Sequence, residues 1–314
     1  MNIKQVAARL REMDGILILT HVRPDGDTIG SAAALCQALR QLGKEAYLLY
    51  NPEITATYLP YAEPYWAPEG WQPKTVISTD VAVADLLPEN AAPYRDHIAL
   101  AIDHHPSHGY FAAESYVDAS AAACGEIICA IIRELTDITP AIALPLYVAI
   151  STDTGCFVYS NTTANTHRVA AELMGCGIDV SGVNKALFRT KSKVRLAMEA
   201  HMAANMELYD NDRVVVMQIP QALCEEMGAT MADIEELSSL AALVEGTDCA
   251  ITLRELSGDK VKISVRTGAR VNATEVCRLV GGGGHRAAAG ATVSGTMEEA
   301  KQAILAAVAK VTGV

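Results

Sequence analysis

The sequence predicts an α/β protein: an N-terminal, mostly parallel sheet covered by helices, followed by a smaller C-terminal α+β domain. Two observations carry the first half. Short aliphatic runs alternate with helix-patterned segments, and such alternation builds a parallel sheet with helices on its faces. Hydrophobic residues make up 50% of the 314-residue chain but aromatic residues only 5%, so the core is expected to be packed from Ala, Val, Ile and Leu. A third observation sets the boundary. After about residue 208 the pattern changes to longer runs, RVVVMQIP, CAITLREL and KVKISVRTG, which read as strands of a differently built unit. The expected domains are 1–185, a helical linker over 186–208, and 209–314.

An amphipathic helix, MNIKQVAARLREMDG, opens the chain. The run Gly15 to Leu19 reads as a buried strand, Pro24 and Gly26 mark a turn, and SAAALCQALRQL over 31–42 reads as a helix stopped by Gly43. Further strands are expected at 46–50, 75–79 and 98–103. The Pro- and Tyr-rich stretch 51–73 reads as an irregular excursion in which Trp66 and Trp71 serve as anchors. Helical patterns at 119–135 and 141–151 complete the first half. A glycine loop, GGGGHRAAAG, and a helix over 297–311 close the second.

Composition excludes several classes. No apolar run reaches the length of about 20 residues that a membrane span needs, and the N-terminus lacks the apolar core of a signal peptide. A cytoplasmic protein without a membrane partner is expected. The eight cysteines are scattered and form no C-x-x-C, so they read as buried free thiols in a reducing compartment. The net charge of −12 argues against a protein that coats long duplex nucleic acid. It leaves small anionic substrates open, because bound metal ions would reverse the local field of a carboxylate cluster.

Five constellations can carry chemistry. His21, Asp25 and Asp27, in HVRPDGD, place hard and borderline ligands just after a strand, where open α/β sheets bind ligands. One imidazole with several carboxylates suits Mn²⁺, with zinc, iron, cobalt or magnesium also compatible; a polar turn is the plain alternative. Asp80 ends VISTD, and by itself reads as a helix cap or turn rather than a ligand. Asp103, His104 and His105 end IALAIDHH. Adjacent strand residues point to opposite faces, so one histidine is expected to ligate and the other to face substrate or a supporting position; His108 reads as a solvated loop residue. Asp153 lies in AISTDTG. The fifth is GGGGHR, Gly281 to Arg286, whose backbone N–H groups can cradle an anion. It matches neither a P-loop nor a dinucleotide fingerprint.

In this order, H-x3-D-x-D, D at a strand end, D-H-H, D in T-D-T-G and G-G-G-G-H, the motifs resemble the DHH phosphoesterase family with its C-terminal DHH-associated domain, over essentially the whole chain. Within the family the chain is similar to the short bacterial oligoribonucleases that also act as pAp phosphatases. The resemblance implies an active site in the interdomain cleft and two Mn²⁺ ions, with Mg²⁺ or Co²⁺ as substitutes. It implies His21 and Asp25 on one ion, Asp27, His104 and Asp153 on the other, and Asp80 bridging. Asp103 would orient a histidine, and His105 would sit by the scissile phosphate as ligand or proton donor. Arg266, Gly283, Gly284 and His285 would hold a substrate phosphate. The implied reaction is two-metal hydrolysis of short oligoribonucleotides to mononucleotides and of the 3′-phosphate of pAp. A soluble phosphodiesterase for cyclic di-AMP or pApA uses the same motifs and stays open. So does a homodimer, for which the sequence shows no interface. The family often carries an Arg shortly after the second-motif Asp; here TDVAVADLL has none. Every expected ligand position is filled, which speaks against a non-catalytic binding protein.

Overall fold

The computed structural model describes residues 1–313, the side chains of residues 235 and 236 excepted, and divides into two compact units that meet between Thr190 and Lys191 in the chain. The first unit runs α1 (Ile3–Glu12), β1 (Ile16–Leu19), α2 (Gly26–Gln41), β2 (Ala46–Leu48), α3 (Leu59–Ala62), β3 (Thr75–Thr79), β4 (Ile98–Asp103), β5 (Glu114–Val117), α4 (Cys124–Leu135), α5 (Pro140–Asp153), α6 (Ala164–Gly175) and α7 (Val180–Asn184). Its five strands lie in the order β2-β1-β3-β4-β5, all parallel. Ile16, Ile18, Ile77, Leu100 and Ile102 face the core that α1, α2, α4 and α5 share, while Leu17, Leu19, Val76 and Ile98 are buried on the other side. Burial on both faces explains why ILIL shows no polar alternation.

The strand order matters for function. From β1 the chain goes to β2 on one side and then to β3 on the other. The sheet thus reverses direction between β1 and β3, and a crevice opens there at the C-terminal ends of the strands.

Three local outcomes differ from the sequence reading. Helix α2 begins at Gly26, five residues before the expected start, because Asp25 caps it: its carboxylate accepts the N–H groups of Asp27 and Thr28. From Gly26 onward the apparent turn is therefore the first helical turn, and residues 20–25 are the connection. Its glycines serve packing against α5; a Cβ on Gly26 would stand 2.3 Å from Thr152 Oγ1, and one on Gly30 would stand 2.3 Å from the Pro145 carbonyl oxygen. Strand β5 (ESYV) was not expected; it is a half-buried edge strand whose polar composition hides it. The 51–73 excursion contains the short helix α3, and its tryptophans pack edge-on against Tyr47 and Tyr50 beside β2.

The second unit runs α8 (Lys193–Ala204), β6 (Glu207–Tyr209), β7 (Val214–Ile219), α9 (Gln221–Met227), α10 (Met231–Ile234), β8 (Cys249–Leu256), β9 (Lys260–Thr267), α11 (Ala273–Arg278), β10 (Gly283–His285), β11 (Ala288–Ser294) and α12 (Met297–Thr312). The strands form one sheet, β10-β11-β9-β8-β7-β6, antiparallel except for β7 with β8. Ile251, Ile263 and Val265 face α11 and α12. On the opposite face Val215 and Met217 pack on Met198 and Met202 of α8, so that helix supplies core to this unit. The glycine loop resolves into a hairpin: Gly283 to His285 pair with Gly290 to Ala288 as an edge strand.

Candidate metal centre

The switch between β1 and β3 gathers six side chains from four segments of the first unit. His21 follows β1, and Asp25 and Asp27 stand at the cap and first turn of α2. Asp80 follows β3, His104 follows β4, and Asp153 is the last residue of α5. Ligand atoms of His21, Asp25 and Asp80 lie within 4.8 Å of one another, as do those of Asp27, His104 and Asp153. Asp80 belongs to both neighbourhoods: its Oδ2 is 3.9 Å from His21 Nε2 and its Oδ1 is 3.5 Å from His104 Nε2. A third set joins Asp80, His104 and His105.

The hydrogen bonds on the far side of each ring decide what the histidines can do. His21 Nδ1 lies 2.8 Å from the Val22 carbonyl oxygen, and His104 Nδ1 lies 3.2 Å from that of Ala121. A carbonyl only accepts, so Nδ1 carries a proton in each ring, and Nε2 is the nitrogen turned toward the carboxylates, where it can take a metal ion. His105 is held differently. Its Nδ1 stands 2.8 Å from Asp103 Oδ1, an oxygen that also accepts the His104 N–H at 2.8 Å. The hydrogen bond from His105 to Asp103 raises the histidine's pKa, against the effect of burial.

The carboxylates are arranged at a cost. Asp80 is buried and takes a left-handed backbone (φ 58°), a strained conformation for a side-chain-bearing residue. Burial, then repulsion from Asp27 and Asp25, pushes its carboxyl well above the usual range. Asp27 is raised likewise, by burial and by Asp153, although Cys124 and Gly125 at the N-terminus of α4 donate their N–H groups to it at 2.6 and 2.9 Å and Ser31 donates its hydroxyl. Burial also raises Asp153, which sits at the helix end where a negative charge is least favoured.

These features fit divalent cations. Among the described residues, the buried Asp80 Oδ1 has no hydrogen-bond donor, and it lies 3.5 Å from His104 Nε2. A cluster of carboxylate oxygens and imidazole Nε2 atoms, without a Lys or Arg ion pair among the described residues, is what a hard or borderline ion satisfies.

The chain matches the DHH family N-terminal domain over residues 15–150 and the DHHA1 domain over 211–313. It is 35% identical to the bifunctional oligoribonuclease and PAP phosphatase NrnA of Thermus thermophilus, over 98% of this chain and 93% of that one.

The chain belongs to the DHH family.

It is therefore a phosphoesterase. Two solved structures share the fold: an exopolyphosphatase-related protein from Bacteroides fragilis (TM-score 0.88, 22% identity, covering 99% of this chain and 96% of that one) and the exonuclease RecJ bound to manganese (TM-score 0.52, 14% identity, covering 100% and 94%). Among the described residues no helix is long and apolar enough to cross a membrane.

In the DHHA1 part, the sheet register aligns the remaining site residues expected from sequence. Arg266 is paired with Ala288, and Ala288 with His285. Directly paired residues share a face, so the guanidinium strand and the imidazole strand flank one small side chain, about 10 Å apart. Gly282, Gly283 and Gly290 line a shallow cavity of about 420 Å³ with Lys262 and Thr292. Among the described residues no carboxylate pairs with Arg266 or Lys262, so in an acidic protein this face keeps its positive charge. Gly284 takes φ 146°, and a Cβ there would stand 2.6 Å from the Ala289 Cα.

Sequence reading missed the supporting groups. Ser31 is discoverable, since it lies four residues after Asp27 on one helix face. The Cys124 and Gly125 N–H groups and the Val22 and Ala121 carbonyls are main-chain atoms and leave no mark in residue identity.

Proposed function

We propose that this chain is a Mn²⁺-dependent phosphodiesterase that degrades short oligoribonucleotides to mononucleotides and removes the 3′-phosphate of pAp. The observation that carries the reading is Asp80, whose two oxygens face two separate His–Asp sets. His21 and Asp25 would hold one ion, Asp27, His104 and Asp153 the other, and Asp80 both. When bound, the pair supplies an activated water near neutral pH and offsets charge on the phosphoryl oxygens. His105, whose pKa the hydrogen bond to Asp103 raises, would present Nε2 to the phosphate and, when protonated, can deliver that proton to the leaving oxygen. Arg266, His285 and the N–H groups of Gly283 and Gly284 hold a terminal phosphate. The family membership and the oligoribonuclease relative support this assignment, and the eight free cysteines suit a cytoplasmic setting.

The test is a product time course with Mn²⁺ on RNA two-mers to twenty-mers, pAp, pApA and cyclic di-AMP. Rapid loss of two- to five-mers and of pAp is expected. Faster cleavage of cyclic di-AMP than of any oligomer would overturn the reading in favour of cyclic-dinucleotide turnover.

A further inference from the structure

Two residues after Asp153 the backbone turns left-handed. Gly155, Cys156 and Phe157 are successively left-handed, at φ 55°, 57° and 68°. Only the first is glycine, and a run of three such residues is disfavoured for L-residues. The turn is nevertheless tightly tied. Cys156 N–H donates to Ser151 O at 2.6 Å, the N–H groups of Val158 and Tyr159 both reach Thr154 O, and the Asn161 amide donates to the carbonyls of Asp153 and Ala122. Strain held by surrounding bonds points to a use for the segment.

The result is a sorting of two aromatic rings. Phe157 turns inward, stacked on His167 with ring centroids 5.4 Å apart. Tyr159 turns outward and is 60% exposed. Its ring lies on Gly155: a Cβ there would be 2.4 Å from Tyr159 Cζ and 2.6 and 2.7 Å from the two Cε atoms. One side of the ring is therefore seated on bare backbone two residues from a metal-set carboxylate. No aromatic ring packs against it among the described residues.

We infer that Tyr159 is a stacking platform for the nucleobase of the nucleotide whose phosphate lies at the metal centre. This rests on the nucleotide-substrate reading above and adds a specificity-determining residue to it. A π-face accepts any base, so the platform selects for a base without selecting its identity. Gly155 is required because any side chain would lift the ring.

The test compares binding of AMP and ribose 5-phosphate to the full-length protein in Mn²⁺, by titration calorimetry. They share the phosphate and the sugar and differ in the base. The wild type is expected to bind AMP about 10-fold more tightly. Tyr159→Ala and Tyr159→Gln should erase that preference while leaving ribose 5-phosphate affinity, Mn²⁺ content and melting temperature unchanged; Tyr159→Phe should keep it. Equal affinity of the wild type for the two ligands, or equal loss of both in the variants, would overturn the proposal. Because binding is read without turnover, a failure of the oligonucleotide time course is distinguishable from a failure of the platform.

Discussion

Asp80 and His104 face each other at the C-terminal ends of the neighbouring strands β3 and β4, Oδ1 to Nε2 at 3.5 Å; the far ring nitrogen, Nδ1, lies against the Ala121 carbonyl, and the buried Oδ1 has no hydrogen bond among the described residues. A buried carboxylate oxygen beside an imidazole nitrogen needs a proton or a metal ion between them, and a divalent ion would serve both atoms and the neighbouring carboxylates at once. Asp80→Ala is therefore expected to lower retained Mn²⁺ after gel filtration and to reduce turnover more than about 100-fold. Chelation of the wild type should also lower its melting temperature, because the buried carboxylates then repel without compensation. Unchanged metal content and rate in Asp80→Ala would remove this residue from the centre.

Asp103 touches the site through His105. Asp103→Asn keeps the shape but loses the charge that raises the imidazole's pKa. The expected result is a 10- to 100-fold lower kcat, about the usual size for an orienting partner, with near-normal Mn²⁺ content. The limb of the pH–rate profile that reports the protonated histidine should move to lower pH. A loss of metal without a change in that limb would assign Asp103 to ion binding instead.

The close approach of α2 and α5 depends on Gly30. A methyl group there would meet the Pro145 carbonyl oxygen at 2.3 Å and the Ala149 nitrogen at 2.8 Å, and backbone atoms yield poorly. Gly30→Ala should cost about 1–3 kcal/mol, seen as a melting temperature several degrees lower. Because the same helix start carries Asp25 and Asp27, Mn²⁺ affinity should fall with it. An unshifted melting curve would show that the helices separate freely.

The thiols set a pH limit on stability. Burial pushes Cys36, Cys129 and Cys249 up to about 12 and Cys277 up to about 11. Unfolded thiols ionise near 8.5. Between about pH 9 and 12 the folded chain binds more protons than the unfolded one, so stability falls as pH rises through that window. Denaturant midpoints measured from pH 7 to 10.5 should decline above pH 9. At pH 8 a thiol reagent should modify Cys156, Cys176 and Cys224 on the folded protein and reach the five buried cysteines only on unfolding. Rapid labelling of all eight would contradict the burial.

Much of the site was legible because ligand chemistry dictates residue type. A metal-set position must be His, Asp or a similar donor, and runs such as ILIL, VIST and IALAID locate strand ends without any knowledge of pairing. Helix boundaries were less legible. Asp25 reads from sequence as a loop ligand or a residue of a polar turn, and in the structure its carboxylate caps α2 while facing His21. The glycine run did not announce an edge strand, since glycine has no pattern of its own.

By itself, then, the amino-acid order determined the two-part α/β plan, the candidate ligands and their grouping after successive strands, because hydrophobic period and donor chemistry are local properties. The tertiary structure alone decided that β1 and β3 are neighbours, which brings His21 and Asp80 together across 59 residues, and that the N-terminus of α4 would hold Asp27 from 97 residues away. It also decided which ring nitrogen of His21 and His104 is turned toward the carboxylates, through main-chain carbonyls that every residue type shares. Strand order and backbone hydrogen bonds depend on how distant segments pack, and residue identity at one position does not encode them.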